Sequence, residues 1–143
     1  MKIKGIFSAA ILTAVLCISG NVLAYSGGTG EPNNPYKIGT AADWQMLMGT
    51  SADWTKKFVL TADVNLAGAA LTPVGNSTIQ FTGAFDGNGY IIRNAVINQP
   101  GSPYIGLFGY LGSDGKIHNV GAENVNISGE SYVGGLVGEN GVK

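Results

Sequence analysis

At 143 residues the chain is long enough for one domain with a real core and too short for two ordinary ones. Its 23 glycines and 12% charged residues, set beside 45% hydrophobic residues, call for many tight turns and a surface poor in charge. A formal net charge of -1 excludes the general attraction to nucleic acid or anionic membrane that a basic excess provides.

Lys2 and Lys4 stand ahead of an apolar stretch at 6–18, and Val22, Leu23 and Ala24 follow. That order predicts a secretory signal peptide over residues 1–24, cleaved after Ala24, and hence a secreted or cell-surface product. A membrane anchor needs about twenty apolar residues, and Ser8, Thr13 and Ser19 interrupt a shorter run, so no span is expected in the mature chain. The only cysteine, Cys17, lies inside the leader. The mature chain therefore has no disulfide, although its compartment allows one, and must be held by packing and backbone pairing.

Residues 25–35, YSGGTGEPNNP, are rich in glycine and proline and read as an extended lead-in. A short helix is predicted over 40–48: Thr40 caps it with Asp43 three residues on, Trp44, Leu47 and Met48 share a face, and Gly49 ends it. Two turns do not stand alone in water, so this helix must lie on an apolar surface. KFVLTADVNL then alternates, with Phe58, Leu60, Ala62, Val64 and Leu66 on one side of a strand. Residues 36–80 are thus expected to form an amino-terminal cap and a first coil.

From residue 81 the chain repeats itself, and a fixed period is a fold signal in its own right. Ile92-Arg93-Asn94 matches Ile117-His118-Asn119 at a spacing of 25, and Val142-Lys143 stands 25 further on. TGAFDG, IGLFGY and GGLVGE recur at less regular intervals, as loops of varying length between fixed strands would make them. Strand-like pieces of two to five residues separated by Gly, Asn and Asp predict an all-β chain, a right-handed parallel β-helix whose coils each take some 22 to 29 residues over 81–143. In that register Ile92 lies over Ile117, and Asn94 and Asn119 form a corner amide ladder. Leucine-rich repeats and a β-sandwich are rival architectures, but the residues between strands are mostly Gly, Ser, Asp and Tyr rather than leucines at fixed offsets.

YIGLFGYLGSDGKIHNV and YVGGLVGEN resemble the GLUG motif, a glycine-rich repeat with a G-L-x-G core, and GGTGEPNNPYKIGTAADWQML is similar to the cap that precedes such repeats. The likeness covers residues 27–143. It implies a bacterial secreted or surface-attached protein of adhesin-like or protease-accessory type, built as a scaffold without catalytic residues. The HExxH of the associated metalloproteases is absent, and His118 is the only histidine.

Three constellations are candidate sites. Arg93, His118 and Lys143, at equal 25-residue spacing, are expected to form a basic stripe for an acidic glycan, at the cost of like charges in register. Asp86 and Asp114 sit in turns where neighbouring coils would bring them together, as a calcium or acid–base pair, although D-G is also ordinary turn chemistry. Tyr104 and Tyr132 are expected side by side, as a sugar-stacking platform or a stiffening column. No cofactor is implied.

The function expected is a non-enzymatic extracellular scaffold, a stalk or adhesion module facing glycans or cell-surface proteins. The alternative is the first part of a β-helix polysaccharide lyase or hydrolase, or an accessory region of a secreted peptidase. Because the third coil stops at Lys143 without a cap, it is expected to continue into further repeats or to stack on a partner.

Overall fold

A computed structural model describes residues 24–141 of the chain. Residues 1–23 of the expected leader, and Val142 and Lys143, lie outside them. The described chain is all-β apart from one α-helix, α1 (Ala41–Gly49), and a 3₁₀ turn at Ser51–Asp53. Its strands are β1 (Tyr36–Ile38), β2 (Lys57–Leu60), β3 (Val64–Asn65), β4 (Ala84–Asp86), β5 (Ile91–Arg93), β6 (Val96–Gln99), β7 (Phe108–Leu111), β8 (Lys116–His118), β9 (Gly121–Glu123), β10 (Asn126–Gly129) and β11 (Val137–Asn140).

Strands of two to four residues have no stability alone, so their pairing decides the fold. They form four sheets, ordered β1-β2-β4-β8, β3-β5-β9, β6-β10 and β7-β11, and every strand pair is parallel. The chain passes through the sheets in one order, β4-β5-β6-β7, and then repeats that order as β8-β9-β10-β11. Bridges from Val74 to Phe108, Phe81 to Leu111 and Ile105 to Val133 extend the same layering between strands.

Register turns this pairing into a core. Tyr36, Phe58, Phe85 and Ile117 are successive partners across the first sheet; Val64, Ile92 and Ala122 across the second; Ile97 and Ile127 across the third; Phe108 and Val137 across the fourth. Phe58, Phe81, Phe85, Phe108 and Trp44 are all but fully buried. The Trp44 ring meets Phe85 and Phe108 edge-on at centroid distances of 5.7 and 5.6 Å, so α1 is pinned by the same cluster that joins the sheets. Each such ring contributes about 2–3 kcal/mol through burial.

The start of α1 is a capping box. Thr40 Oγ1 accepts from the Asp43 N–H at 3.1 Å, and the Asp43 carboxylate accepts from the N–H groups of Gly39 and Thr40. That carboxylate also accepts from the Ser26 N–H at 2.9 Å and the Ser26 hydroxyl at 2.6 Å, which fastens the lead-in to the helix. Burial alone would raise its pKa, but these hydrogen bonds outweigh burial and hold it below the ordinary aspartate value. At the other end of α1 the Trp54 indole N–H donates to the Leu47 carbonyl at 2.8 Å. Tyr25 packs against Tyr36 with ring centroids 4.3 Å apart and planes tilted by 34°, and burial, reinforced by its hydrogen bond to Asp53, pushes its phenol pKa up.

The 25-residue register expected from the sequence is not the one formed. Ile117 pairs with Phe85, 32 residues earlier, whereas Ile92 pairs with Val64 and Ala122, so the two isoleucines lie in different sheets. IRN and IHN are alike for a local reason: each is a strand end followed by an asparagine in the left-handed region, Asn94 at φ 62° and Asn119 at φ 56°. Asparagine tolerates that conformation better than most residues. The phrase marks a corner, and one pass has several corners.

Candidate functional site

The corrected register redistributes the residues singled out in the sequence. Arg93 has Asn65 and Glu123 as strand partners, and its Nη2 lies 2.7 Å from Asp63 Oδ2. His118 is the partner of Asp86, with Nε2 3.6 Å from Asp86 Oδ1. Arg93 and His118 therefore do not form a common stripe, and each faces an acid instead of another cation. Lys143 lies outside the described residues.

The amide ladder exists with other members. Asn94 Nδ2 donates to Asn65 Oδ1 at 2.9 Å and Asn124 Nδ2 donates to Asn94 Oδ1 at 2.6 Å, so the rungs are Asn65, Asn94 and Asn124. Asn119 belongs to another corner, where its Nδ2 donates to Asp86 Oδ1 at 3.3 Å. The A-E-N at 122–124, a third strand end with a left-handed asparagine (φ 50°), was the sequence signal for the missed rung.

Asp86 and Asp114 are also separated. Asp86 ends β4, while Asp114 lies in the turn before β8, and β4 and β8 run parallel with Ala84 opposite Lys116. The two carboxylates therefore sit at opposite ends of the strand pair. Among the described residues no group of three or more His, Cys, Asp or Glu is arranged to hold a metal ion.

Tyr104 and Tyr132 do come together. Their ring centroids are 4.9 Å apart with planes 12° from parallel, and Tyr110 packs against Tyr104 at 5.2 Å. Both stacked residues have positive φ, 62° and 52°, an outlying conformation for a bulky side chain. Tyr132 keeps 54% of its surface exposed, so one ring face is open to solvent.

The glycine motif explains this corner. Gly109 and Gly138 follow the partners Phe108 and Val137, and a Cβ on either would lie 2.5–2.6 Å from the carbonyl oxygen of Tyr104 or Tyr132 respectively. The last glycine of G-L-F-G and of G-L-V-G thus lets the chain fold back onto the carbonyl of its own tyrosine.

A second surface was not anticipated from the sequence. Strand alternation turns Phe58, Phe85 and Ile117 inward, and so places Lys57, Ala84 and Lys116 in one outward row and Lys37, Val59, Asp86 and His118 in the next. A shallow cavity of about 250 Å³ lies on this face, lined by Pro32, Pro35, Lys57, Val59, Ala84 and Asp86 among others.

No family model matches the chain, and no solved structure matches it. It is similar to halomucin of Haloquadratum walsbyi, with 33% identity over 123 residues that cover 78% of this chain and 1% of that protein. It is also similar to a protein of Evansella cellulosilytica whose name describes a Gly-rich membrane protein, with 33% identity over 124 residues covering 81% of this chain and 14% of the relative. The chain thus spans a small part of the curated relatives it matches. No helix among the described residues is long and apolar enough to cross a membrane.

Proposed function

We propose that the chain is a segment of an extracellular, non-enzymatic repeat scaffold, a right-handed parallel β-helix of GLUG-like type that serves as a surface stalk or binding module. The observation that carries this reading is the repeated order of the four parallel ladders with aromatic and aliphatic side chains in register between them. Parallel strands joined by crossovers are almost always right-handed, which supports the hand. A rigid surface is what such layering provides, because each side chain is fixed relative to the one a strand spacing away.

Two further observations support the scaffold role. The outer layer, β8 to β11, carries half-exposed Ile117, Ile127, Leu136 and Val137 in positions equivalent to buried ones in the layer before. That surface is complementary to another layer of the same kind. The relatives, one of them named as a membrane protein and both far longer than the matched stretch, support a surface or extracellular location.

Antibody labelling and protease shaving of intact cells test the proposal. Accessible chain on unpermeabilised cells is expected, together with loss of attachment to glycan-coated surfaces when the chain is removed. Protein found only inside the cell would refute the reading.

A further inference from the structure

We propose that the outward face of the β1-β2-β4-β8 sheet binds an acidic, uronate-type polysaccharide. The inference rests on the extracellular reading for its choice of ligand, and on the following geometry for its site.

Five cations lie among the described residues, and they divide cleanly. Lys56 is paired with Glu31 at 3.0 Å and Arg93 with Asp63 at 2.7 Å. The other three, Lys37, Lys57 and Lys116, have no acid partner among the described residues, and all three lie on this one sheet. Among the described residues this is the one face that carries lysines without an acid partner.

The spacing suits a polymer of sugars. Lys57 and Lys116 are separated by Ala84, hence by two strand spacings, about 9.6 Å. That is about the reach of one disaccharide, so carboxylates on alternate sugars meet successive lysines. The Ala84 methyl between them and the Val59 side chain in the next row form a low apolar floor for the C–H face of a ring.

Asp86 selects against other anions. Its Oδ1 accepts from the Asn88 N–H at 2.8 Å and from Asn119, and lies 3.6 Å from His118. Oδ2 keeps its lone pairs for a donor from the ligand. A sugar hydroxyl supplies one, whereas a phosphodiester has only acceptors and is repelled. Three lysines are also few for binding by counterion release to nucleic acid.

The test is titration calorimetry of the full chain with hyaluronate and polygalacturonate, with neutral dextran and a single-stranded oligonucleotide as comparison probes. Salt-sensitive binding of the uronate polymers is expected, weakened about tenfold or more by a Lys57→Gln/Lys116→Gln double variant. Asp86→Asn is expected to weaken it further, and Arg93→Gln, in another sheet, to leave it within twofold. An unchanged far-UV spectrum and melting midpoint show that the lysine variant is folded. No uronate binding, equal binding of dextran, oligonucleotide binding as tight as uronate, or a lysine variant that binds like the parent would each overturn the proposal. A chain found only inside cells would sink the scaffold reading and leave a positive titration standing, so the two failures are distinguishable.

Discussion

The ring of Tyr132 lies flat on that of Tyr104, 4.9 Å away, although each residue holds a backbone angle that tyrosine seldom adopts. Stacking contributes about 0.5–1.5 kcal/mol beyond burial, while a left-handed angle costs a non-glycine residue about 1–2 kcal/mol. Tyr132→Ala keeps the backbone cost and loses the stack, and is expected to destabilise by about 2 kcal/mol. Tyr132→Gly loses the stack but relieves the backbone, and should recover about 1 kcal/mol of that. Urea unfolding of the two variants measures both terms; equal losses would show that the positive φ carries no strain.

The register makes a covalent prediction. Val96 and Asn126 are partners in the parallel pair β6–β10, and both side chains are exposed. Strand neighbours about 4.8 Å apart are within the Cα range a disulfide spans. A Val96→Cys/Asn126→Cys variant is expected to oxidise readily in the folded state, shown by mass loss and resistance to alkylation. Arg93→Cys/His118→Cys, the pair at the 25-residue spacing, is expected to remain reduced.

That contrast shows how far the sequence could be read. The helix over 41–49 and its Thr40 cap were legible because capping is local chemistry, written within a few residues. So was the pairing of the two tyrosines, each placed just ahead of a G-L-x-G run that is itself in register. The register of Ile92 and Ile117 was not, because corners on different sides of one pass use the same strand-plus-asparagine phrase. The lysine face was hidden for a related reason. Lys57 and Lys116 are 59 residues apart in sequence and become neighbours only when Ala84 is set between them.

Asp43 joins the lead-in to α1 through four hydrogen bonds to one buried carboxylate. Asp43→Asn is expected to cost about 2–3 kcal/mol, since bonds to a charged acceptor are the stronger kind. Its pH dependence has a definite sign. The folded pKa lies below the ordinary value, so the contribution is complete above the unfolded value, about 3.9, and fades as pH falls through the lower folded one. Melting curves taken down this acid window should fall more steeply for the parent than for the variant.

Asn94 both donates and accepts in the amide ladder. Asn94→Asp preserves shape and the bond from Asn124 but sets two acceptors against each other at Asn65. At this exposed corner a loss of about 1 kcal/mol is expected. Asn94→Ala loses the ladder and retains the left-handed angle, and should cost about twice as much. Denaturant midpoints of the two variants check the order.

Parallel pairing also fixes the direction in which the chain gives way layer by layer. The backbone hydrogen bonds of β4 with β8 and of β6 with β10 point along the line on which the layers succeed one another. A pulling force applied along that line loads them end-on and peels one layer before the next. Each release of about 30 residues, the offset between the partners Ile97 and Ile127, frees roughly 100 Å of contour, so extension in an optical trap should proceed in steps of similar length.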